Sequence, residues 1–346
     1  MVVVMDATAS DEDVAGVAEV VRAAGGEAFV SRGVARTIVG LVGDVDLFDR
    51  LDLRTLPGVV EVVRISAAYK LVSREHHKQR STISVGGVPI GPGMFTLIAG
   101  PCAVEDARQT FEAAEMAKAA GAALLRGGAF KPRTSPYAFQ GLGEQGLEIL
   151  ASVRESIGLP IVTEVVDAHD VPLVAKYADM LQVGTRNMQN FALLQAVGAS
   201  GRPVMLKRGL NATIEEWLMA AEYVAQRGNL DIVLCERGIR TFEKATRFTL
   251  DVSAVPLAQQ LSHLPVIVDP SHASGLRELV VPLTRAGIAV GADAIMVDVH
   301  PHPEDARVDG SQALVDTDLR ELATAVRTLP PIVGRELTRP PEPAGA

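Results

Sequence analysis

The sequence has few of the features that mark secreted, membrane-bound or disulfide-stabilised proteins. Only two cysteines, Cys102 and Cys235, occur in 346 residues. Two are too few for a disulfide framework, so we expect free thiols in a reducing compartment. No apolar run approaches the ~20 residues that a transmembrane helix needs, and the N-terminus lacks the basic region and cleavage site of a signal peptide. We therefore expect a cytoplasmic protein without a membrane partner.

Positive charge is also scarce, since 42 acidic residues outnumber 33 basic ones and give a formal net charge of −9. This balance gives no support to nucleic-acid binding, for which a basic surface is the usual signature. It leaves small anionic ligands open, because a local cluster of cations binds an anion whatever the net charge. The 48% share of hydrophobic residues is ordinary for a globular protein and argues against long disordered regions.

Residues 1–70 predict a small separate domain. Its short strand-like runs lie at 2–5, 28–31, 37–42 and 59–65, and a loop with Gly33 separates the second run from the third. Helices are predicted over 11–24 and 45–53. The order βαββαβ is that of a ferredoxin-like α+β fold. Few of its polar groups are suited to chemistry, so we expect a regulatory or assembly role.

Residues 71–93 predict a linker and a hairpin. The stretch around His76 and His77 is polar and basic, and Gly86-Gly87 lies between two short apolar runs, which is a hairpin signal. Such a hairpin would close the bottom of a barrel. At the other end of the chain, a Pro-rich tail over 335–346 is predicted to be disordered.

From Phe95 onward, apolar strand-like runs alternate with helical stretches rich in Ala, Leu and Glu. One helix is marked by a capping box at Thr213 and Glu216. Eight such β/α units in about 250 residues are the size of a (β/α)8 TIM barrel, which we predict over 94–334. A doubly wound open sheet is the alternative, but no G-x-G-x-x-G segment follows the first strand. The strand-like runs end at residues 100, 127, 164, 186, 209, 238, 272 and 300.

Charged residues follow nearly every predicted strand, and in a barrel all these ends meet at one mouth. Guanidinium and ammonium groups bind phosphate and carboxylate well, particularly away from bulk water. Any one of them is readily explained as an exposed or ion-paired residue, but together they predict a pocket for phosphorylated substrates. The cations are Arg126, Lys131, Arg133, Arg186, Lys207 and Arg237.

A second set of residues at the same mouth has metal-ligand chemistry. Its thiolate, imidazole and carboxylates suit a divalent Mn, Fe, Co or Zn ion. Alone, the cysteine would more often be a buried apolar side chain. His300 and His302 lie close in sequence and leave the choice of ligands open, and Cys235 is expected to be a core thiol. The set is Cys102, His272, Asp298 and Asp309.

These motifs resemble those of the 3-deoxy-D-arabino-heptulosonate 7-phosphate (DAHP) synthase family, in its short form with an N-terminal ferredoxin-like regulatory domain. The resemblance covers the chain up to about Arg335. No single motif is specific, but the combination is. The motifs lie at 100–103 (GPCA), 125–137 (LRGGAFKPRTSPY), 139–143, 183–191, 206–209, 236–238 and 269–272 (DPSH).

The resemblance implies a metal-dependent condensation of phosphoenolpyruvate with erythrose 4-phosphate, the first step of the shikimate pathway. It assigns Arg133, Thr134 and Ser135 to the aldose phosphate. Lys131 is the candidate proton donor to the developing alkoxide, and Glu164 the candidate for orienting water. Phosphoenolpyruvate is assigned to Arg126, Lys131, Arg186, Lys207 and Arg237, with Asp269 also counted among the substrate-binding residues.

Cys102, His272 and Asp309 match metal positions of the family, and as metal ligands Cys102 and His272 also count as catalytic. Asp298 stands where the family usually has Glu. Its side chain is one methylene shorter, so its carboxylate falls back by roughly 1.5 Å, whereas metal–oxygen bonds tolerate only a few tenths. We expect Asp298 still to ligate, with lower affinity or altered metal preference, unless water or His300 completes the shell.

The resemblance also implies a homotetramer inhibited by tyrosine or phenylalanine bound between ferredoxin-like domains, with chorismate mutase as a candidate partner. Three alternatives stay open. One is the related synthase that makes 3-deoxy-D-manno-octulosonate 8-phosphate, which typically has a KANRS-type segment where this chain has KPRTS at 131–135. Another is an aldolase with a Schiff-base lysine, which would need an apolar pocket. The third is a catalytically weak barrel that acts as a regulatory partner.

Overall fold

The computed structural model describes residues 1–32, 37–64, 68–75 and 77–339. Its residues divide into two compact units, Met1–Ala68 and Tyr69–Ala346, close to the boundary predicted at residue 70. The predicted loop at Gly33, the last residue of the strand predicted over 59–65, His76 and the tail beyond residue 339 lie outside the described residues.

The N-terminal unit is ferredoxin-like, as predicted. Helix α1 (Asp11–Ala23) begins at a capping box formed by Ser10 and Asp13 and buries Val14, Val17 and Val21. Its antiparallel sheet has the strand order β2-β3-β1-β4. The strands are β1 (Val2–Met5), β2 (Glu27–Arg32), β3 (Thr37–Val42) and β4 (Val59–Val63).

The second helix of this unit is shorter than predicted. Helix α2 covers only Val45–Phe48, followed by a 3-10 turn at Leu53–Thr55. After Phe48 the backbone makes i→i+3 hydrogen bonds, from Arg50 to Leu47 and from Leu51 to Phe48. This tighter turn buries Leu53 against the sheet, so packing rather than helical periodicity sets where α2 ends.

A hairpin precedes the barrel, where the sequence predicts one. Strands β5 (Ile83–Val85) and β6 (Val88–Ile90) pair across Gly86-Gly87, both with positive φ. Their apolar side chains pack against residues at the N-terminal ends of the barrel strands, such as Met180 and Met205. The hairpin thus fills the end of the barrel opposite the site, and Cys235 is a fully buried free thiol in the same cluster.

The C-terminal unit is a closed (β/α)8 barrel, as predicted. Eight parallel strands pair in chain order, and the last pairs with the first to close the ring. The strands are β7 (Met94–Gly100), β8 (Leu124–Arg126), β9 (Ile161–Val165), β10 (Met180–Val183), β11 (Val204–Lys207), β12 (Ile232–Glu236), β13 (Val266–Val268) and β14 (Ala294–Asp298).

Helices alternate with these strands. Helix α7 begins at the predicted capping box, in which Thr213 and Glu216 each accept from the other's backbone N–H. Within the described residues, no helix is both long and apolar enough to cross a membrane. The helices are α3 (Ala107–Ala119), α4 (Glu144–Ile157), α5 (Val171–Tyr177), α6 (Phe191–Ala199), α7 (Ile214–Ala225), α8 (Ala254–Leu261), α9 (Pro270–Ser274), α10 (Arg277–Ala289) and α11 (Asp316–Ile332).

The start of the tail is ordered, so the prediction of disorder from residue 335 is wrong for residues 335–339. Strand β15 (Glu336–Leu337) pairs in parallel with the beginning of β7. The Arg335 guanidinium lies 2.6 Å from the fully buried carboxylate of Asp293. A buried carboxylate needs a cation, and this requirement has no signature in a proline-rich composition.

Candidate active site

The C-terminal strand ends surround a cavity of about 350 Å³, within the range of small-molecule sites. Most of the residues predicted to bind substrate or act in catalysis line it. They come from different strands and loops and are brought together by closure of the barrel. The predicted residues that line the cavity are Arg126, Lys131, Arg133, Thr134, Ser135, Glu164, Arg186, Lys207, Arg237, His272 and Asp309.

Three predicted site residues, Cys102, Asp269 and Asp298, do not line this cavity but are buried beside it. Cys102 and Asp298 belong to a group of four possible metal-binding side chains with His272 and Asp309. One ligand atom from each of the four lies within 4.8 Å of the others. The structure therefore brings the predicted metal set together at the inner wall of the cavity.

Three of these side chains have the spacing of donors to a single ion. Cys102 Sγ lies 3.3 Å from Asp309 Oδ2 and 3.7 Å from His272 Nε2, and the last two atoms are 3.7 Å apart. Metal–ligand bonds of about 2.0–2.3 Å in tetrahedral geometry place donor atoms about 3.3–3.8 Å apart. Cys102, His272 and Asp309 therefore fit a divalent transition metal.

Asp298 faces the other ring nitrogen of the same histidine. Its Oδ2 lies 3.7 Å from His272 Nδ1 and accepts a 2.6 Å hydrogen bond from Gln312, while its Oδ1 is paired with Arg126. Burial acts to lower the pKa of Arg126, but the charge of the facing Asp298 outweighs this effect and raises the pKa of the guanidinium. Both oxygens of Asp298 are thus engaged, and ligation of a metal would have to displace one of these contacts.

Asp269 contacts both Lys207 and His272 beneath the site. Its Oδ2 lies 2.6 Å from Lys207 Nζ and 2.8 Å from His272 Nδ1, and its Oδ1 accepts from the His272 backbone N–H. Burial acts to raise the pKa of Asp269, but the charges of His272 and Lys207 hold it well below its usual range.

This position differs from the substrate-binding role predicted for Asp269. A fully buried carboxylate that is already bonded on both oxygens is not available to a substrate. Instead, Asp269 fixes the imidazole of His272 so that Nε2 points at Cys102 and Asp309, a common arrangement around metal-binding histidines. Burial acts to lower the pKa of His272, but the neighbouring carboxylates of Asp269 and Asp298 raise it. The net effect is a raised pKa for His272.

Arg237 is the clearest anion-binding group. Its side chain is buried and stacks on Phe248 with the guanidinium carbon 4.4 Å from the ring centre. Among the described residues, its Nε and Nη1 have no hydrogen-bond partner. Burial and the nearby charge of Arg247 lower the pKa of Arg237. An unpaired buried guanidinium is costly, and its position at the cavity wall suits it to bind an anion.

Lys131 joins the two halves of the site. Its Nζ donates to the Cys102 carbonyl oxygen at 2.9 Å and to the Cys102 sulfur at 3.2 Å, and its side chain also lines the cavity. The lysine chain passes close over Gly128, where a Cβ would lie 2.8 Å from Lys131 Cδ. The ammonium group is therefore held between the metal set and the substrate space.

Glu164 faces the cavity from β9. Gln182 donates to its Oε2 at 3.2 Å. The other carboxylate oxygen lies over Gly184, where a Cβ would come within 1.9 Å of Oε1. Glycine at position 184 is thus required for Glu164 to occupy this place. The carboxylate is nearly buried and open to the cavity, which suits it to hold a water molecule.

Arg247 is a site residue that the sequence does not reveal. It lies in the irregular segment after β12 rather than at a strand end, yet it lines the cavity and its Nη1 is 3.0 Å from Asp309 Oδ1. Burial acts to raise the pKa of Asp309, but His272 and Arg247 hold it well below its usual range. Arg247 thus orients the Asp309 carboxylate from the cavity side.

His300 and His302 are not part of the metal group found among the described residues. His300 is buried with its Nε2 3.6 Å from Glu105, and His302 is exposed. Closeness to Asp298 in sequence therefore does not bring either histidine into the group around Cys102.

Residues 72–333 match the DAHP synthetase I family, and residues 1–67 match the DAHP synthase ferredoxin-like domain. A curated relative from Thermotoga maritima, phospho-2-dehydro-3-deoxyheptonate aldolase, is 49% identical over 96% of this chain and 99% of its own. A 2-dehydro-3-deoxyphosphooctonate aldolase from Fusobacterium nucleatum is 33% identical over 69% of this chain and 92% of its own.

Two solved structures from Thermotoga maritima are also similar. A crystal structure of phospho-2-dehydro-3-deoxyheptonate aldolase (DAHP synthase) has a TM-score of 0.88 at 48% identity and covers 97% of this chain and 98% of that one. A truncated form of 3-deoxy-D-arabino-heptulosonate 7-phosphate synthase has a TM-score of 0.72 at 50% identity, with 77% of this chain and 98% of that one covered.

Proposed function

Because the chain belongs to the DAHP synthetase I family and is a 3-deoxy-7-phosphoheptulonate synthase of the shikimate pathway, we propose how its own residues hold the substrates and a divalent metal. Phosphoenolpyruvate occupies the inner cavity at Arg126, Lys207 and Arg237, and erythrose 4-phosphate the outer part at Arg133–Ser135. The observation that carries this assignment is the buried Arg237, whose Nε and Nη1 have no hydrogen-bond partner among the described residues.

The inner and outer cations differ in burial, which supports two substrate positions. Arg126, Lys207 and Arg237 are buried, whereas Arg133 is exposed at the rim of the same cavity. Arg186, which the family resemblance assigns to phosphoenolpyruvate, is also exposed at the rim, so we place it at the edge of the phosphoenolpyruvate position. Lys207 and Arg126 are held rigidly by the carboxylates of Asp269 and Asp298. Rigid cations deep in a cavity keep an anion in one orientation, and positioning of this kind supplies several kcal/mol of the barrier.

The residues present account for each proton in the condensation. Carbon 3 of the enol phosphate attacks the aldehyde carbon, and the carbonyl oxygen takes a proton from the Lys131 ammonium group. Water held by Glu164 adds at carbon 2 and gives its proton to that carboxylate. The bond between carbon 2 and the phosphate oxygen then breaks, inorganic phosphate leaves with the electron pair, and the new hydroxyl on carbon 2 gives its proton to the phosphate as it becomes the ketone of the product. The proton on Glu164 is returned to Lys131 through solvent.

Cys102, His272 and Asp309 are the side chains that we propose hold the divalent metal, with Asp298 as a weaker fourth ligand. A divalent Mn, Fe, Co or Zn ion held by these residues would supply Lewis acidity for polarising the aldehyde. Lys131 is 3.2 Å from Cys102 Sγ, so the proton donor and the polarised oxygen would be neighbours. A Lys131→Met variant should therefore lose nearly all turnover while keeping its fold and its metal.

The choice of aldose separates this function from that of the octulosonate 8-phosphate synthases, whose curated relatives match 69% and 72% of this chain. We expect phosphoenolpyruvate to be consumed with erythrose 4-phosphate and only poorly with arabinose 5-phosphate in side-by-side assays. Faster consumption with arabinose 5-phosphate would contradict the assignment. Borohydride trapping of the protein with either aldose should give no covalent adduct, since Lys131 and Lys207 lie among charged groups rather than in an apolar pocket.

We also propose that the N-terminal unit confers feedback inhibition by tyrosine or phenylalanine. The sheet face opposite α1 carries exposed apolar residues, of which Phe29 and Val42 are each 58% exposed and Val60 56%. Monomers rarely leave such a patch uncovered, which supports docking of a second copy with the amino acid between them. Homotetrameric assembly, a cytoplasmic location and association with chorismate mutase remain predictions.

Removal of residues 1–68 should abolish inhibition by the amino acid and spare the condensation. In the full chain, Phe29→Ser should weaken inhibition, whereas Phe242→Ser, a change at a Phe that is 95% exposed in the other unit, should not. Inhibition that survives the truncation would refute the regulatory assignment.

A further inference from the structure

The segment from Arg307 to Asp309 connects the metal set with the loop at 131–143. Asp309 has a φ of 55°, and it is the one non-glycine residue with positive φ in the described part of the chain. This left-handed conformation is unfavourable for a residue with a side chain. The contacts of its neighbours must therefore hold Asp309 in place, with its Oδ2 directed at Cys102.

Two contacts hold the segment against the Cys102 strand end. The Arg307 backbone N–H donates to Glu105 Oε1 at 2.8 Å. Val308 is buried and packs with Cys102 and Ala103. These contacts place residues 307–308 beside the first strand end and so aim the next residue, Asp309, at the cysteine sulfur.

A third contact reaches the loop at 131–143. The guanidinium carbon of Arg307 lies 3.7 Å from the centre of the Phe139 ring, within the range of a cation–π interaction. Phe139 also packs against the cluster of Cys102 and Val308. Arg307 itself is exposed and does not line the cavity, so it has no direct access to the substrates.

The loop that carries Phe139 also carries Arg133, Thr134 and Ser135. Its two arms are joined by the backbone hydrogen bond from Lys131 to the Gln140 carbonyl at 2.8 Å and by a bridge between Phe130 and Gly141. A movement of Phe139 would therefore also move the base of the segment at 133–135. The same loop reaches the metal set from its other side, through Lys131 and Cys102.

We propose that Arg307 is a positioning residue that couples aldose-phosphate binding to metal binding, by holding the Asp309 segment and the loop at 131–143 together through Phe139. The inference rests on the proposed function, which assigns the aldose phosphate to Arg133–Ser135. Each ligand favours the same arrangement of these two segments. By linkage, the metal then tightens binding of the aldose phosphate, and the aldose phosphate tightens binding of the metal by the same factor.

The test uses the full-length protein with Arg307→Ala and Arg307→Lys. Arg108→Ala is the matched control, because Arg108 is an exposed arginine on α3 whose guanidinium pairs with Glu112. Co²⁺ is titrated into metal-free protein, and the thiolate-to-cobalt absorption of Cys102 reports its binding without turnover. The titration is repeated with erythrose 4-phosphate alone. Steady-state assays then give KM for each substrate separately.

Arg307→Ala should weaken Co²⁺ binding by roughly 3- to 10-fold, raise KM for erythrose 4-phosphate by a similar factor, and leave KM for phosphoenolpyruvate nearly unchanged. The tightening of Co²⁺ binding by erythrose 4-phosphate should be reduced in this variant. Arg307→Lys should recover most of these losses, because an ammonium group also binds an aromatic face. Phe139→Leu should reproduce Arg307→Ala, which guards against a fold defect confined to one variant.

Co²⁺ affinity in Arg307→Ala equal to that in Arg108→Ala would overturn the proposal, as would an equal rise in KM for both substrates. Failure of the wild-type protein to condense erythrose 4-phosphate would instead overturn the proposed function. The cobalt titration of the substrate-free protein is independent of that result.

Discussion

At the scale of single residues, the carboxylate of Asp298 has two competing uses. It belongs to the group of four possible metal ligands, and it is also the counter-ion of the buried Arg126. The longer side chain of a glutamate would reach roughly 1.5 Å further. In this chain the shorter side chain remains bonded to Arg126 and Gln312, so a metal at this site would have to compete with these two groups for it.

We therefore predict that Asp298→Glu tightens metal binding, by roughly 10-fold, since the added methylene brings the carboxylate to the ion. The dissociation constant for Co²⁺ or Mn²⁺ in the metal-free protein is the measurement. Asp316→Glu, on an exposed residue of α11, controls for the change in side-chain length. Unchanged or weaker metal binding in Asp298→Glu would show that residue 298 is not limited by reach.

Arg237 gives a prediction in which stability and activity move in opposite directions. Within the part of the chain that the structure describes, its buried guanidinium is unpaired at Nε and Nη1, and such a group costs roughly 1–3 kcal/mol. Arg237→Met should therefore raise the unfolding temperature of the substrate-free protein, while kcat/KM for phosphoenolpyruvate falls by at least about 100-fold.

Calorimetry and steady-state kinetics on the same preparations would check the Arg237 prediction. Arg320→Met, at an exposed position of α11, should change neither quantity. A lower unfolding temperature in Arg237→Met would mean that the guanidinium is stabilised by the protein itself, which would remove the main support for an anion site at this wall.

At the scale of elements, the short strand β15 shows how a buried charge can order a chain end. Arg335 donates to Asp293 and to the carbonyl oxygen of Met94 at 3.0 Å, at the beginning of β7. Asp293 is fully buried and also pairs with Arg80. Three segments that are distant in sequence therefore meet at one carboxylate at the base of the barrel.

Arg335→Ala should lower the free energy of unfolding of the barrel by about 2–3 kcal/mol, because it removes one of the two cations of a buried carboxylate. Arg339→Ala, at an exposed residue of the same segment, should have an effect within about 0.5 kcal/mol. Denaturant titration of both variants provides the comparison. Equal stability of the two would mean that Arg80 alone suffices for Asp293.

The predicted elements differ in how well sequence alone locates them. Barrel strands are apolar, end in charged residues and recur regularly, so their number and order follow from the pattern. The short helix α2 and strand β15 depend on contacts with distant residues, Leu53 with its sheet and Arg335 with Asp293. Periodicity carries no information about such contacts, and the predictions for these two elements are correspondingly wrong in extent.

At the scale of the whole molecule, the barrel explains why the candidate site is largely predictable. Closure brings every strand end to one mouth, so charged residues at strand ends identify most of the cavity wall. Arg247 cannot be predicted in this way, because it lies in the irregular segment after β12 and not at a strand end. The positioning role of Asp269 cannot be predicted from sequence either, since only the structure shows that Lys207 and His272 occupy both of its oxygens.

Metal dependence of the condensation is best measured as consumption of phosphoenolpyruvate with erythrose 4-phosphate, before and after removal of metal by a chelator. We predict that activity falls to background in the metal-free protein and returns when Mn²⁺ or Co²⁺ is added. The same addition should fail to restore Cys102→Ser, whose harder oxygen replaces the thiolate. Full activity in the metal-free protein would contradict the central claim that Cys102, His272 and Asp309 hold a divalent metal required for the condensation.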